Sequence, residues 1–225
     1  MQLSMQRIFE SFTTNNAASA SVCFDGYEHS ARSPFGTDVK HAILQLLSAQ
    51  NEGLVSHHAQ VAKLASSTAF ALGLSPAQAR LTRLGAELHD VGKMGIPEYI
   101  LDKSGPLTAE EQWFVQRHSE IGERILAAIP GLKGIAPIVR AVHERPDGRG
   151  YPDGLRLEEI PIPSLVIAAV DAFDAMTHNR PYQRARPPEH ALAELRRHAG
   201  TQFDPAVVEA FASTIANRPA AQLAI

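Results

Sequence analysis

Cysteine is nearly absent: Cys23 stands alone in 225 residues, which excludes an internal disulfide and favours the cytoplasm. Excess positive charge is missing too. Lys and Arg number 21 against 24 Asp and Glu, a net charge of −3, so no broad positive field exists to draw in nucleic acid or an acidic membrane. An anionic ligand must be gripped locally. The opening MQLSMQRIFESF lacks the apolar core of a signal peptide. The longest apolar run, Leu165 to Val170, is far short of the roughly 20 residues that a membrane helix needs. The expected protein is cytoplasmic, with neither nucleic acid nor membrane as a partner.

Alternating strand patterns and internal repeats are also lacking, and the expected class is all-α. With 44% apolar residues the chain can bury a sizeable core. Residues 1–36, rich in Ser, Ala and Asn and ending in SPFG, read as an extension or linker, and 37–225 as the folded domain. Helical spacing begins after Thr37 with Val39, Ile43, Leu46 and Leu47. A second helix carries Leu54, His57, Val61, Leu64 and Ala65 and stops near Gly73. Ser75-Pro76 caps a third, which runs through Leu88 to His89-Asp90, where Gly92 ends or bends it. Thr108 and Glu111 have capping-box spacing, opening a helix whose Phe114, His118, Ile121 and Ile125 can share a face. Further helices are expected over Ile135 to Glu144, Leu165 to Met176, 188–199 and 205–216.

Ten histidines are present, and most invite a bland explanation as surface or hydrogen-bonded core residues. Two carboxylates resist it. Asp90 follows His89 at the end of an apolar helix, and Asp171 lies within LVIAAVDAFDAM; both would be expensive to bury unpaired. Asp174, one turn on, suits either a supporting role behind a metal ligand or a helix-packing role. His57, the His89-Asp90 pair, His118, His143 and Asp171 come from five helices, which is how an α-helical domain focuses donors on one cleft. Imidazoles and carboxylates suit Fe, Mn, Co, Ni or Zn, and a shared carboxylate holds two ions roughly 3.5–4 Å apart. Composition and spacing alone leave open both a metal site and a helical scaffold with scattered histidines.

HDVGKMGIP, RHSEIG, VHERPDGRGYPDG, VDAFDAMTHNRPY and TQFDPAVVEAF, in that order, resemble the HD-GYP group of HD-superfamily phosphohydrolases, the cyclic di-GMP phosphodiesterases of bacterial signalling. The likeness runs from about residue 50 to 212. It implies a helical HD bundle extended by C-terminal helices, with Gly150, Tyr151 and Pro152 as a substrate-side signature loop beside the metal cleft. It implies two divalent transition metals, iron or manganese first, held by His57, His89, Asp90, His118, His143 and Asp171. Asp90 becomes the bridge, while His58 stands outside the set. Lys93 matches a family lysine suited to proton donation or phosphate contact, and Arg180 an arginine that grips a ligand phosphate. The implied reaction is attack of a metal-bridging hydroxide on a cyclic dinucleotide, giving the linear product.

Three positions depart from the family pattern. Val142 stands where the family has the first of two histidines, Gly53 where some members have glutamate, and Gln183 where a basic residue often follows RPY. The first two losses point to two metals rather than three. The rivals are a degenerate domain that binds a cyclic dinucleotide or a diguanylate cyclase without turnover, and another nucleotide phosphohydrolase of the wider HD group. Either a diguanylate cyclase or a regulatory protein fits as partner.

Overall fold

A computed structural model describes residues 39–46, 52–179 and 184–217, with side chains in the helix opening at 52 described from His57 onward. The expected extension at 1–36, Cys23, Arg180 and Gln183 lie outside the described residues. After a helical stretch at 39–46 come α1 (Glu52–Ala71), α2 (Pro76–Leu88), α3 (Glu98–Leu101), α4 (Ala109–Gln116), α5 (His118–Ala127), α6 (Ala136–Arg140), α7 (Ile162–Thr177), α8 (Pro188–Arg197) and α9 (Pro205–Ala216). Short 3-10 turns occupy Val91–Gly95, Lys133–Ile135 and Leu157–Glu159. The described residues contain no strand.

The α1–α2 hairpin packs against α7, which also meets α8 and α9; α5 packs against the Val91–Gly95 turn and α6. α7 is central because its sequence is apolar almost all round. Leu165, Val166, Ile167, Ala169, Val170 and Phe173 are all buried, and each large side chain contributes about 1.5–3 kcal/mol by leaving water. Phe173 meets Phe211 of α9 edge to face, ring centres 4.9 Å apart. A polar face opens on the side of α7 turned to α1, and there the chemistry collects.

Local signals place the ends of several elements. Ser75 caps α2 by accepting the Gln78 N–H while the Gln78 side chain accepts the Ser75 N–H, and Thr108 and Glu111 do the same for α4. Gly73 ends the preceding turn with φ at +75°, a conformation that favours glycine.

Four expected helices differ. The helix from Thr108 is broken at Arg117, so Phe114 stays exposed while His118 turns into the core. The expected helix over Ile135 to Glu144 is helical only from Ala136 to Arg140; the chain then tightens, Ala141 and Val142 donating to carbonyls three residues back. Val142 and His143 therefore sit in a turn, and Val142 is part of the apolar core. The helix expected to reach 199 ends at Arg197, and α2 ends at Leu88, just short of His89-Asp90.

Candidate metal centre

Asp90 lies between α2 and a 3-10 turn whose Gly92 explains its position. A Cβ on Gly92 would run into the His118 carbonyl oxygen and stand 2.6 Å from the Gly122 nitrogen, so the absence of a side chain lets this turn press against α5. That contact brings the buried Asp90 carboxylate to the buried His118.

The donors form two sets that share Asp90. Single donor atoms of His57, His58, His89 and Asp90 all lie within 4.8 Å of one another, as do those of Asp90, His118 and His143. Asp90 Oδ2 lies 3.4 Å from His58 Nε2 and 3.7 Å from His89 Nε2, whereas Oδ1 is the oxygen nearer His118 Nε2, at 3.9 Å. Asp171 joins the first set from α7, its Oδ1 3.3 Å from His57 Nε2 and 3.8 Å from His89 Nε2. All six expected ligands thus come together. His58, left outside by sequence register, lies inside the cluster.

The far side of each ring shows why the cluster faces inward. His89 donates from Nδ1 to the Ala86 carbonyl at 2.9 Å, and His118 from Nδ1 to the Val115 carbonyl at 2.6 Å. A carbonyl can only accept, so each Nδ1 carries the proton and leaves Nε2 as a lone-pair donor facing the centre. His57 Nδ1 meets Asp174 Oδ2 at 2.6 Å, a carboxylate behind an imidazole. His118 Nε2 and His143 Nε2 are buried with no hydrogen-bond partner, an arrangement a bound cation would satisfy. The donor set fits divalent transition metals.

Charges within the cluster agree. Burial pushes the His143 imidazole down to about 3 and lowers His58 and His118 as well, keeping all three neutral and free to donate. Burial would raise Asp90, but the Lys93 ammonium, 2.7 Å from Oδ2, together with His89, His58 and His118 outweighs it and holds the carboxyl well below the usual range. Asp171 is likewise held low against its burial, chiefly by the His57 hydrogen bond. Burial opposes a proton on His57, yet Asp171 and Asp174 together raise it to about 9.

The loop after α6 fixes His143. Gly150 packs its backbone against Glu144, where a Cβ would overlap the Glu144 Cα and lie 2.5 Å from the Arg145 nitrogen. Tyr151 donates its N–H to the His143 carbonyl at 3.2 Å and stacks its ring on the imidazole, centres 5.0 Å apart. Pro152 follows through a cis peptide. Sequence reasoning passed over Glu144 as a structural residue. Its buried carboxylate accepts the N–H groups of Asp153, Gly154 and Leu155 at 2.6, 3.1 and 2.9 Å. The available signal was an acid directly after a ligand and before a glycine-rich run. Arg140 grips Asp153 through two nitrogens and Glu123 through a third, tying the same loop to α5.

A family model described as HD domain matches residues 41–207. The chain is 42% identical over 172 residues to a cyclic di-GMP phosphodiesterase of Thermotoga maritima, covering 75% of this chain and 47% of that protein. It is 40% identical over 153 residues to the cyclic di-GMP phosphodiesterase response regulator RpfG of Xanthomonas campestris, covering 67% of this chain and 40% of that protein. The chain thus spans less than half the length of either relative. Among solved structures, Bd1817, a HDG"Y"P protein from Bdellovibrio bacteriovorus, superposes with a TM-score of 0.62 at 17% identity, over 87% of this chain and 70% of that one. That likeness is one of fold. No helix among the described residues is long and apolar enough to cross a membrane.

Proposed function

We propose, for a chain that belongs to the HD-domain family and within it to the HD-GYP group, a metal-dependent phosphodiesterase that opens a cyclic dinucleotide, cyclic di-GMP foremost, to its linear form. The observation that best supports this is the Asp90 carboxylate, whose two oxygens face two sets of imidazoles. His57, His89, Asp90 and Asp171 would hold one divalent ion, and Asp90, His118 and His143 the other. Iron or manganese is favoured, with cobalt, nickel and zinc as alternatives. When bound, such ions supply a water acidified toward neutral pH and polarisation of phosphoryl oxygens.

The remaining work falls to the chain itself. Asp174 holds His57 so that Nε2 faces Asp171. Lys93 pairs with Asp90 and is partly exposed, so its ammonium stands where the buried acid meets solvent. From there it offsets charge building on the phosphate and hands a proton to the departing 3′ oxygen. Arg180, on the strength of its NRPY motif, grips a phosphate through its planar fork. Gly150, Tyr151 and Pro152 border the bound dinucleotide. We assign the activity to the cytoplasm, with a diguanylate cyclase or regulatory protein as partner.

The test is to strip the protein, reload it anaerobically with Fe²⁺ or Mn²⁺, and follow linear product from cyclic di-GMP, 3′,3′-cyclic GMP-AMP and cyclic di-AMP. Linear product from cyclic di-GMP that requires the metal is expected. Tight binding with no product would favour a non-hydrolytic receptor instead. Arg180→Ala should weaken substrate binding by about 1–3 kcal/mol at unchanged metal content; loss of metal would overturn the phosphate assignment.

A further inference from the structure

His58 is a buried imidazole beside Asp90 to which the family pattern gives no task, and we propose that it is an additional metal ligand, joining His57, His89, Asp90 and Asp171 as a fifth donor to the first ion. The inference rests on the metal-dependent function above. Successive residues of a helix point about 100° apart, and α1 uses that angle to straddle the cleft. His57 faces Asp171 and Asp174, while His58 faces Asp90 and His89. The His58 ring centre lies 5.3 Å from those of both His57 and His89, and one donor atom from each of His57, His58, His89 and Asp90 falls within 4.8 Å of the rest.

A purely structural task explains the position less well. His58 Nε2 is 3.4 Å from Asp90 Oδ2, past the roughly 2.7–3.2 Å of a normal N–H···O bond, and that oxygen already receives the Lys93 ammonium at 2.7 Å. A carboxylate so paired has little need of a second, distant donor. A residue only 2% exposed has equally little to gain from solvent. As a ligand, its nitrogen would serve the same ion as His57, His89, Asp90 and Asp171.

Metal-stripped protein and His58→Gln should be titrated with Co²⁺ alone, following heat and the visible absorption of the bound ion. Glutamine keeps a hydrogen-bond donor but not an imidazole. Expected is a loss of at least about 10-fold in affinity confined to one of two ions, with a changed cobalt spectrum for that ion. Unchanged affinity and spectrum would overturn the ligand while leaving the phosphodiesterase intact. If the unaltered chain took up no cobalt, zinc, manganese or iron, both would fall. A crystal of the unaltered chain with Zn²⁺ decides the matter independently of how the variant folds. Nε2 of His58 should lie roughly 2.0–2.1 Å from an ion, and a separation beyond hydrogen-bond length would remove it from the ligand set.

Discussion

His57 holds a proton between two acids, and that proton competes with a metal. Its value in the folded, metal-free chain is about 9 against an ordinary 6.5. The sign follows from this: the stability it contributes is complete below about 6.5 and is lost as pH rises through about 9. Metal-free protein should therefore become less resistant to urea from pH 6.5 to 9, while metal affinity rises over the same window as the competing proton leaves. Calorimetry in buffers of different ionisation heat should register about one proton released per chain near pH 7.5; no release would show that His57 is not displaced. Asp90 gives a different test, because each of its oxygens faces its own set of imidazoles. Asp90→Ala should bring metal content from two ions per chain toward none by elemental analysis. Retention of both ions at normal affinity would refute the bridge.

At the level of elements, the loop between α6 and α7 acts as a bracket for one ligand. Glu144→Ala strands three N–H donors at once, and unsatisfied buried groups cost about 1–3 kcal/mol each when water cannot reach them. The variant should lose at least about 2 kcal/mol of stability in denaturant titration, with weaker metal binding at the His118–His143 set. Undiminished stability would mean that the loop holds its shape without the acid. The caps at Ser75 and Thr108 were readable from sequence because their partners lie three residues away. The break at Arg117 was not, since Phe114, His118, Ile121 and Ile125 keep helical spacing across it. What reorients His118 is its own ring reaching back to the Val115 carbonyl and the press of Gly92 against α5. The second is a tertiary contact that a local pattern does not contain.

Over the whole molecule, the donors run from His57 to Asp171, so the two proposed ions, sharing Asp90, would together cross-link α1, the turn after α2, α5, α7 and the loop after α6. Binding to the folded state alone stabilises by about 2.7 kcal/mol when free metal exceeds its dissociation constant 100-fold. Chelation should lower the unfolding midpoint cooperatively, by several degrees, with one transition before and after; an unchanged midpoint would contradict the cross-link. The all-α class was legible from the absence of alternating patterns, and the gathering of six donors into one cleft from ordered motifs that name residues far apart in sequence. His58 was passed over because register treats it as the neighbour of a ligand, whereas the 100° turn between adjacent residues carries it to the opposite wall. Asp174, one turn from Asp171, was legible as either a support or a helix-packing group, and it stands behind His57. The pinned rings have one more consequence. With Nδ1 of His89 and His118 tied to main-chain carbonyls and His57 to Asp174, nitrogen dominates a lining that cannot easily be exchanged for oxygen or water. Magnesium and calcium, which prefer oxygen and flexible hydration, should be poor occupants however abundant they are, and the chain's state should follow the supply of scarcer nutrient metals.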